Sequence, residues 1–302
     1  MTTPVRRAAT ALYERLVEYG IDRTPSHVAV IQDGNRRYAR SQGDDETAGH
    51  RAGAETTESV LRWCRELDIA ELTLYAFSTE NFERPDDELE SLFDLIETKL
   101  YEFADSEEIH ADEVRIRAIG QTTELPPRVR EAISYAHDRT AGYDGLHLNI
   151  ALAYGGRAEL LEAARAVARD VRAGVIATEA IDAAELDGRL TAQPTRDVDL
   201  IIRTGGDERT SNFLPWHANG NEAAVFFCTP FWPEFRRIDF LRAIRTYESR
   251  KESWRTTRAQ RARALVESLR DRELREAKRV LRVESDEELE LGADADTEPT
   301  AD

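Results

Sequence analysis

The chain has 302 residues, 41% of them hydrophobic, enough to enclose a full core in one large α/β domain or two smaller ones. Its formal net charge is −18 and only three of its 41 basic residues are lysines (Lys99, Lys251 and Lys278), which excludes general nucleic-acid binding, since that needs a basic face. No apolar run exceeds strand length, which excludes a transmembrane segment, and the two cysteines, Cys64 and Cys228, show no zinc-ligand spacing and read as small core residues in a reducing compartment.

Met1 to Gly20 carries arginines but no apolar stretch of signal-peptide type; residues 4–20 read as an amphipathic helix with Ala8, Leu12, Leu16 and Tyr19 near one face. Val28 to Ile31 is a short apolar run of the kind that builds a parallel strand buried on both faces, and it stops abruptly in Asp33, Gly34, Asn35, Arg36 and Arg37. Residues 50–67 place Val60, Leu61, Cys64 and Leu67 at helical spacing. Leu72 to Phe77 is a strand, followed by a polar loop from Ser78 to Arg84. Pro85 then opens a helix whose first turn holds Asp86, Asp87 and Glu88, where carboxylates oppose the helix dipole. Its apolar stripe is Leu89, Leu92, Ile96, Leu100 and Phe103. Val114 to Ile119 is a strand, 127–140 a helix, and Leu146 to Tyr154 a strand ending in Gly155-Gly156-Arg157, after which a helix runs to about Ala173. A short helix at 183–190, strands at Val198 to Ile202 and Ala223 to Cys228, and helices over 234–276 follow. Residues 283–302 are dominated by Asp and Glu and are expected to form a disordered, solvating tail.

Six strands alternating with helices define the fold class as α/β: a single domain with a central six-stranded, mainly parallel sheet flanked by helices. The expected partition is an N-terminal helix (1–22), a main domain (23–250), a C-terminal helical extension (251–282) and the acidic tail (283–302). Four strand ends carry polar or glycine-rich segments: Asp33 to Arg37, Ser78 to Arg84, Tyr154 to Arg157 and Arg203 to Ser211. One such turn means little, but the strand ends of one sheet converge on one crevice. A carboxylate, a glycine and paired guanidinium groups there suit a Mg²⁺-bound diphosphate, the carboxylate holding the metal and the N–H groups and arginines holding phosphate oxygens.

The motifs resemble those of the cis-prenyltransferases, the undecaprenyl or polyprenyl diphosphate synthases. They are His27-Val-Ala-Val-Ile-Gln-Asp-Gly-Asn-Arg-Arg-Tyr38, Gly49-His-Arg-Ala-Gly53, Tyr75-Ala-Phe-Ser-Thr-Glu-Asn-Phe-Glu-Arg-Pro85, Leu148-Asn-Ile-Ala-Leu-Ala-Tyr-Gly-Gly-Arg157 and Asp199-Leu-Ile-Ile-Arg-Thr-Gly-Gly-Asp-Glu-Arg-Thr-Ser-Asn-Phe213, followed by Phe231-Trp-Pro-Glu-Phe235. The resemblance covers roughly residues 20–250. Arg36 and Tyr38, where many bacterial members have glycine and tryptophan, resemble the archaeal branch, in keeping with a haloarchaeal-like composition whose carboxylates stay hydrated at high ionic strength.

The resemblance implies a homodimeric, Mg²⁺-dependent enzyme, cytoplasmic or peripheral at the membrane surface. An allylic diphosphate primer, geranylgeranyl or farnesyl diphosphate, loses its diphosphate as the double bond of isopentenyl diphosphate attacks. A proton then leaves to give a new Z double bond, and the cycle repeats until the chain fills a hydrophobic tunnel. For an archaeon it points to geranylgeranyl diphosphate and a long glycosyl-carrier lipid. Asp33 resembles the catalytic carboxylate that handles Mg²⁺ and the departing diphosphate, with Glu222 as the other metal ligand. Gly34, Asn35, Arg36, Arg37 and Tyr38 resemble the primer's phosphate cradle. His50 is similar to a histidine close to the diphosphates, although the residues alone favour a helix-capping or core histidine. Ser78, Thr79, Glu80, Asn81, Phe82 and Arg84 match a mobile loop that closes over substrate, with Asn81 at the position that helps in proton removal. Arg203, Arg209 and Ser211 resemble the isopentenyl diphosphate site, where each charge-assisted contact is worth roughly 1.5–3 kcal/mol.

Two positions depart from the pattern. Glu46 stands where many members have an arginine for the allylic phosphate, so Arg36 or Arg51 takes that role or the contact is absent. Counting forward from Arg203 gives Glu222 as the second metal carboxylate, whereas counting back from Trp232 gives Ala224. Asp86-Asp87-Glu88-Leu89-Glu90 imitates the aspartate-rich box of the all-helical trans-prenyltransferases, but its place at a helix start accounts for it. The rival readings are a non-catalytic partner subunit of a heteromeric cis-prenyltransferase and another diphosphate-handling α/β enzyme, such as a phosphohydrolase.

Overall fold

The run Val28 to Ile31 forms β1 (His27–Ile31), buried along its whole length in the middle of the sheet. The computed structural model describes residues 4–192, 196–218 and 223–251, with side chains from Leu12 onward. On one side β1 pairs with β2 (Glu71–Tyr75), which leads to β4 (Leu146–Ala151) and β3 (Val114–Ile119). On the other it pairs with β5 (Leu200–Arg203), which leads to β6 (Ala224–Phe227), giving the order β3-β4-β2-β1-β5-β6. All five pairings are parallel. The chain leaves β1 towards β2 and returns on the far side at β5, so the carboxyl end of β1 is a topological switch point, where α/β folds place their ligands.

Register assigns the two faces. Val28, Val30, Leu72, Leu74, Leu148 and Ile202 point into the larger core, with Phe93, Leu100, Phe103 and Trp232. Their alternates Ala29, Ile31, Ala151 and Ile201 meet Tyr154, Phe213 and Leu214 on the other face. That second face also buries a polar set, in which Glu71 Oε1 accepts from Asn149 Nδ2 at 2.6 Å and His27 Nε2 lies 2.7 Å from Thr73 Oγ1. The helices are α1 (Pro4–Tyr19), α2 (Asn35–Gln42), α3 (Glu46–Glu66), α4 (Asp86–Asp105), α5 (Glu107–Ala111), α6 (Pro127–Thr140), α7 (Gly156–Arg172), α8 (Ala183–Asp187) and α9 (237–251). Val60 and Leu61 of α3, Leu92 and Phe93 of α4, and Val129 and Ala132 of α6 cover the larger core. Residues to Ser249 form one compact unit. A second begins at Arg250, and the expected extension to 282 and the tail over 283–302 lie outside the described residues beyond Lys251.

Three local outcomes differ from the periodicity. First, among the described side chains the α1 face expected to be buried is exposed: Leu12 is 61%, Leu16 62% and Tyr19 91% exposed, and Val17 instead packs against Ile238 and Leu241 of α9. Helical spacing says which residues share a face, not whether another element lies there to cover it. Second, the polar segment after Asp33 is the helix α2, bounded by Gly34 (φ 104°) and Gly43 (φ 79°), with Ala39 its one buried residue. Third, α3 starts at Glu46 rather than near 50, because the Asp45 carboxylate caps it, accepting from Ala48 N at 2.9 Å.

The small residues of the Gly49–Gly53 motif let α3 lie against α2. A methyl group on Gly53 would stand 2.4 Å from Asn35 Oδ1 and 2.9 Å from Trp232 Cδ1, while Trp232 Nε1 donates to Gly53 O at 2.7 Å. In an open helix, Gly→Ala gains about 1 kcal/mol. Here the contact reverses the sign, and Gly53→Ala is expected to lower stability by about 1–3 kcal/mol, read as a fall in Tm at fixed salt.

Candidate active site

Asp33 follows β1 by two residues and its backbone is fixed on both sides. Its N–H donates to Thr204 Oγ1 at 3.1 Å, while its carbonyl accepts from Thr204 Oγ1 at 2.8 Å and from Trp232 N at 3.0 Å. The carboxylate is clamped: Oδ1 accepts from Arg37 Nη2 at 3.0 Å and Oδ2 from Arg203 Nη2 at 2.7 Å. Partial burial would raise its pKa, but the Arg203 hydrogen bond and charge, joined by those of Arg37, outweigh it and hold the carboxyl below the usual range. Gly34 must be glycine: its φ is 104° and a Cβ would lie 2.7 Å from the Phe231 ring. The Arg37 guanidinium sits over that ring, 5.4 Å from its centroid.

Arg203 enters the same place because the β1–β5 register aligns it with Ile31. Its side chain is 4% exposed. Nη1 donates to Arg209 O at 2.7 Å and Ser211 Oγ at 2.5 Å, and Nη2 also reaches Asp207 Oδ2 at 3.0 Å. Arg209 is largely exposed and pairs with Asp207 at 2.9 Å. The geometry thus gathers Asp33, Arg37, Arg203, Arg209 and Ser211 into one connected cluster. Thr204 and Asp207 join this cluster although neither stands out in the sequence. The i, i+4 spacing of Arg203 and Asp207 is the signal for their pairing.

The 78–84 loop folds as a short 3₁₀ turn (Thr79–Glu83) beside this cluster. Thr79 N–H donates to Tyr154 O at 3.0 Å, and Phe82 packs edge-on against Phe77 at 5.0 Å, seating the loop on the core. Asn81 Oδ1 accepts from Ser78 N at 2.8 Å, so its amide here holds the loop together. Glu80 is exposed. Arg84 Nη1 donates to Glu88 Oε1 at 2.5 Å, and Arg36 Nη1 lies 3.6 Å from the Glu88 carboxylate and 3.9 Å from that of Glu46. Glu46 also accepts from Arg40 at 2.6 Å. Arg36 therefore shares the space around Glu46. Glu88 does more than oppose the α4 dipole, for it draws Arg36 and Arg84 together. Glu222 lies outside the described residues, and Tyr38 is half-buried within α2.

Behind the cluster, between α3, α4 and the sheet, lies a cavity of about 110 Å³. Gln32, Asn35 and His50 line one part of it, and Leu92, Ile96, Leu100 and Phe103 of the α4 stripe another, so the stripe is both core and cavity wall. Asn35 Oδ1 and His50 Nε2 are buried there without a hydrogen-bond partner. Burial, then the nearby Arg84 and Arg36 charges, push the His50 pKa down to about 4. His50 is expected to stay neutral from pH 5 to 8, which an NMR titration of the ring checks; a midpoint near 6.5 would contradict it.

The family model for prenyltransferases described as "Putative undecaprenyl diphosphate synthase" matches residues 31–255. The tritrans,polycis-undecaprenyl-diphosphate synthase (geranylgeranyl-diphosphate specific) of Halobacterium salinarum is 67% identical over 281 residues, covering 93% of each chain. That of Haloarcula marismortui is 62% identical, covering 91% of each. Among solved structures, lavandulyl diphosphate synthase from Lavandula x intermedia superposes with a TM-score of 0.69 at 33% identity, over 74% of this chain and 95% of that one. A probable undecaprenyl diphosphate synthase from Campylobacter jejuni gives 0.60 at 32%, over 75% and 96%. The half-buried Asp33 carboxylate thus lies between two guanidinium groups, at the switch point of an all-parallel sheet and beside an apolar cavity, and by the extent of these matches the chain belongs to the undecaprenyl diphosphate synthase family of cis-prenyltransferases.

Proposed function

We propose that this chain adds isopentenyl diphosphate units to geranylgeranyl diphosphate, giving a long Z-polyprenyl diphosphate of undecaprenyl type for use as a glycosyl carrier. One observation carries the reading: Asp33, ionised between Arg37 and Arg203, directly follows Gln32 and stands two residues before Asn35, both of which line the apolar cavity. Charge for a diphosphate and space for a prenyl chain thus adjoin. The haloarchaeal relatives, at 67% and 62% identity, carry the geranylgeranyl specificity in their names.

The donor set fits Mg²⁺. That ion takes one or two protein carboxylates and completes its shell with phosphate oxygens and water. Among the described residues no group of three or more Asp, Glu, His or Cys side chains forms a cage, and Asp33 is a single ionised carboxylate. Asp33 would hold the ion, with Glu222 as the proposed second ligand. When bound, Mg²⁺ neutralises charge on the leaving diphosphate.

The protein's own groups do the rest by positioning and electrostatics. Arg203, Arg209 and Ser211 bind the isopentenyl diphosphate, and the α2 N-terminus with Arg36 and Arg37 binds the primer. The allylic C1–O bond breaks, the terminal carbon of isopentenyl diphosphate bonds to C1, and a proton leaves C2. Asn81, an amide, assists proton removal by orientation and does not itself take the proton. In this reading the proton passes to an oxygen of the departing diphosphate. The apolar part of the cavity of about 110 Å³, lined by Leu92, Ile96, Leu100 and Phe103, receives the start of the prenyl chain.

Among the described residues no helix is long and apolar enough to cross a membrane. We place the enzyme in the cytoplasm as a homodimer, peripheral to the membrane that receives its product. Purified chain with Mg²⁺, high salt, labelled isopentenyl diphosphate and a series of primers tests the function by mass analysis of products. Incorporation greatest with geranylgeranyl diphosphate is expected. No incorporation with any primer would favour the partner-subunit reading, and phosphate release alone a phosphohydrolase.

A further inference from the structure

The segment Tyr154 to Arg157, a glycine pair opening a helix, has the form of an anion site, since free N–H groups at a helix start attract phosphate. The N–H groups of its first two helical residues are already taken. Gly156 N–H donates to Asn212 O at 2.9 Å, and Arg157 N–H to Asn212 Oδ1 at 2.8 Å. The glycine permits this approach, because a Cβ on Gly156 would meet Pro215 Cδ at 2.2 Å and Asn212 O at 2.9 Å. One residue of the diphosphate loop thus caps α7 with both its backbone and its side chain.

That loop needs an anchor. Ser211 (φ 47°), Asn212 (φ 60°) and Leu214 (φ 46°) all lie in the left-handed region, which side chains with a Cβ rarely adopt and asparagine tolerates best. Ser211 Oγ accepts from Arg203 Nη1, and Arg203 Nη2 holds Asp33. A continuous path therefore runs from the α7 N-terminus through Asn212, Ser211 and Arg203 to the carboxylate. The same helix start seats the other loop: Tyr154 O accepts from Thr79 N at 3.0 Å and from the Tyr75 hydroxyl at 3.1 Å. Tyr75 in turn stacks on Phe213 with ring centroids 4.5 Å apart.

We infer that Asn212 is a positioning residue for isopentenyl diphosphate: by capping α7 it fixes the strained 211–214 turn, and so the Ser211 hydroxyl and Arg203 guanidinium that receive the diphosphate. This rests on the reading of Arg203, Arg209 and Ser211 given above. Asn212 O and Oδ1 are engaged by the α7 N-terminus, so the residue acts through its neighbours.

Steady-state kinetics of the full chain with Mg²⁺ test it, varying each substrate at saturating levels of the other. Asn212→Ala is expected to raise the KM for isopentenyl diphosphate about 10-fold, the loss typical of a removed cap, with kcat and the KM for geranylgeranyl diphosphate changed less than about threefold. Asn212→Asp keeps an oxygen for the Arg157 N–H and is expected to restore the KM. Asn212→Gly keeps the left-handed backbone but not the cap, and serves if the alanine variant fails to fold; it too is expected to raise this one KM. Ser211→Ala is the control. If it raises the KM for isopentenyl diphosphate while Asn212→Ala and Asn212→Gly do not, or if Asn212→Asp fails to rescue, the positioning role is overturned. If Ser211→Ala itself leaves that KM unchanged, the site assignment fails, and the inference with it.

Discussion

Asp33→Asn is expected to lower chain elongation by about 10³-fold or more while leaving the protein folded. The substitution keeps the size of the side chain and removes its charge, the single feature that two guanidinium groups and the proposed Mg²⁺ share. Loss of one strongly placed electrostatic contact to a leaving group costs about 3–4 kcal/mol, near 10³-fold in rate, and loss of the metal adds to it. The fold survives because Arg203 retains Asp207, Ser211 and the Arg209 carbonyl, and the Asp33 backbone retains Thr204 and Trp232. The effect should fall on kcat, with the KM for isopentenyl diphosphate nearly unchanged. Elongation at the parental rate would remove Asp33 from the chemistry.

Half of that clamp is legible in one dimension. Arg37 lies one helical turn after Asp33, and an Asp-Gly-Asn-Arg-Arg run after an apolar strand invites the pairing. Arg203 is 170 residues away, and only the β1–β5 pairing of Ile31 with Arg203 brings it to Asp33. The elements split in a similar way. Val114–Ile119 and Pro127–Thr140 have the bounds read from their patterns, because alternating burial, a proline at the helix start and long apolar faces all point the same way. The α2 helix escaped because it buries Ala39 alone, so no apolar period exists to read, and its glycine caps look like turn signals. Glu88 escaped for the opposite reason. A carboxylate in the first turn of a helix already has a sufficient local explanation, and only the fold reveals Arg36 opposite it.

Arg203→Lys is expected to lower kcat/KM for isopentenyl diphosphate at least about 10²-fold, and to move the acid limb of the pH–rate profile to higher pH. One ammonium cannot replace a planar fork that spans Asp33, Asp207, Ser211 Oγ and the Arg209 carbonyl together. Two lost charge-assisted contacts, at about 1.5–3 kcal/mol each, set the scale. The pH shift follows from linkage. Arg203 is the chief group lowering the Asp33 pKa against the opposing effect of burial. With that support weakened, burial counts for more, and protonation of Asp33 begins at higher pH. The sign for stability is the same: a lowered folded-state pKa stabilises the native protein above the unfolded carboxylate value, and this contribution is lost as pH falls through the folded one. Asp33 is 28% exposed, so the stability part is screened and small beside the catalytic loss. Rates for the parent and the lysine variant, measured at fixed salt from neutral pH downward, check both halves of the expectation. An acid limb that stays in place while the rate falls would mean that Arg203 binds substrate without setting the charge on Asp33.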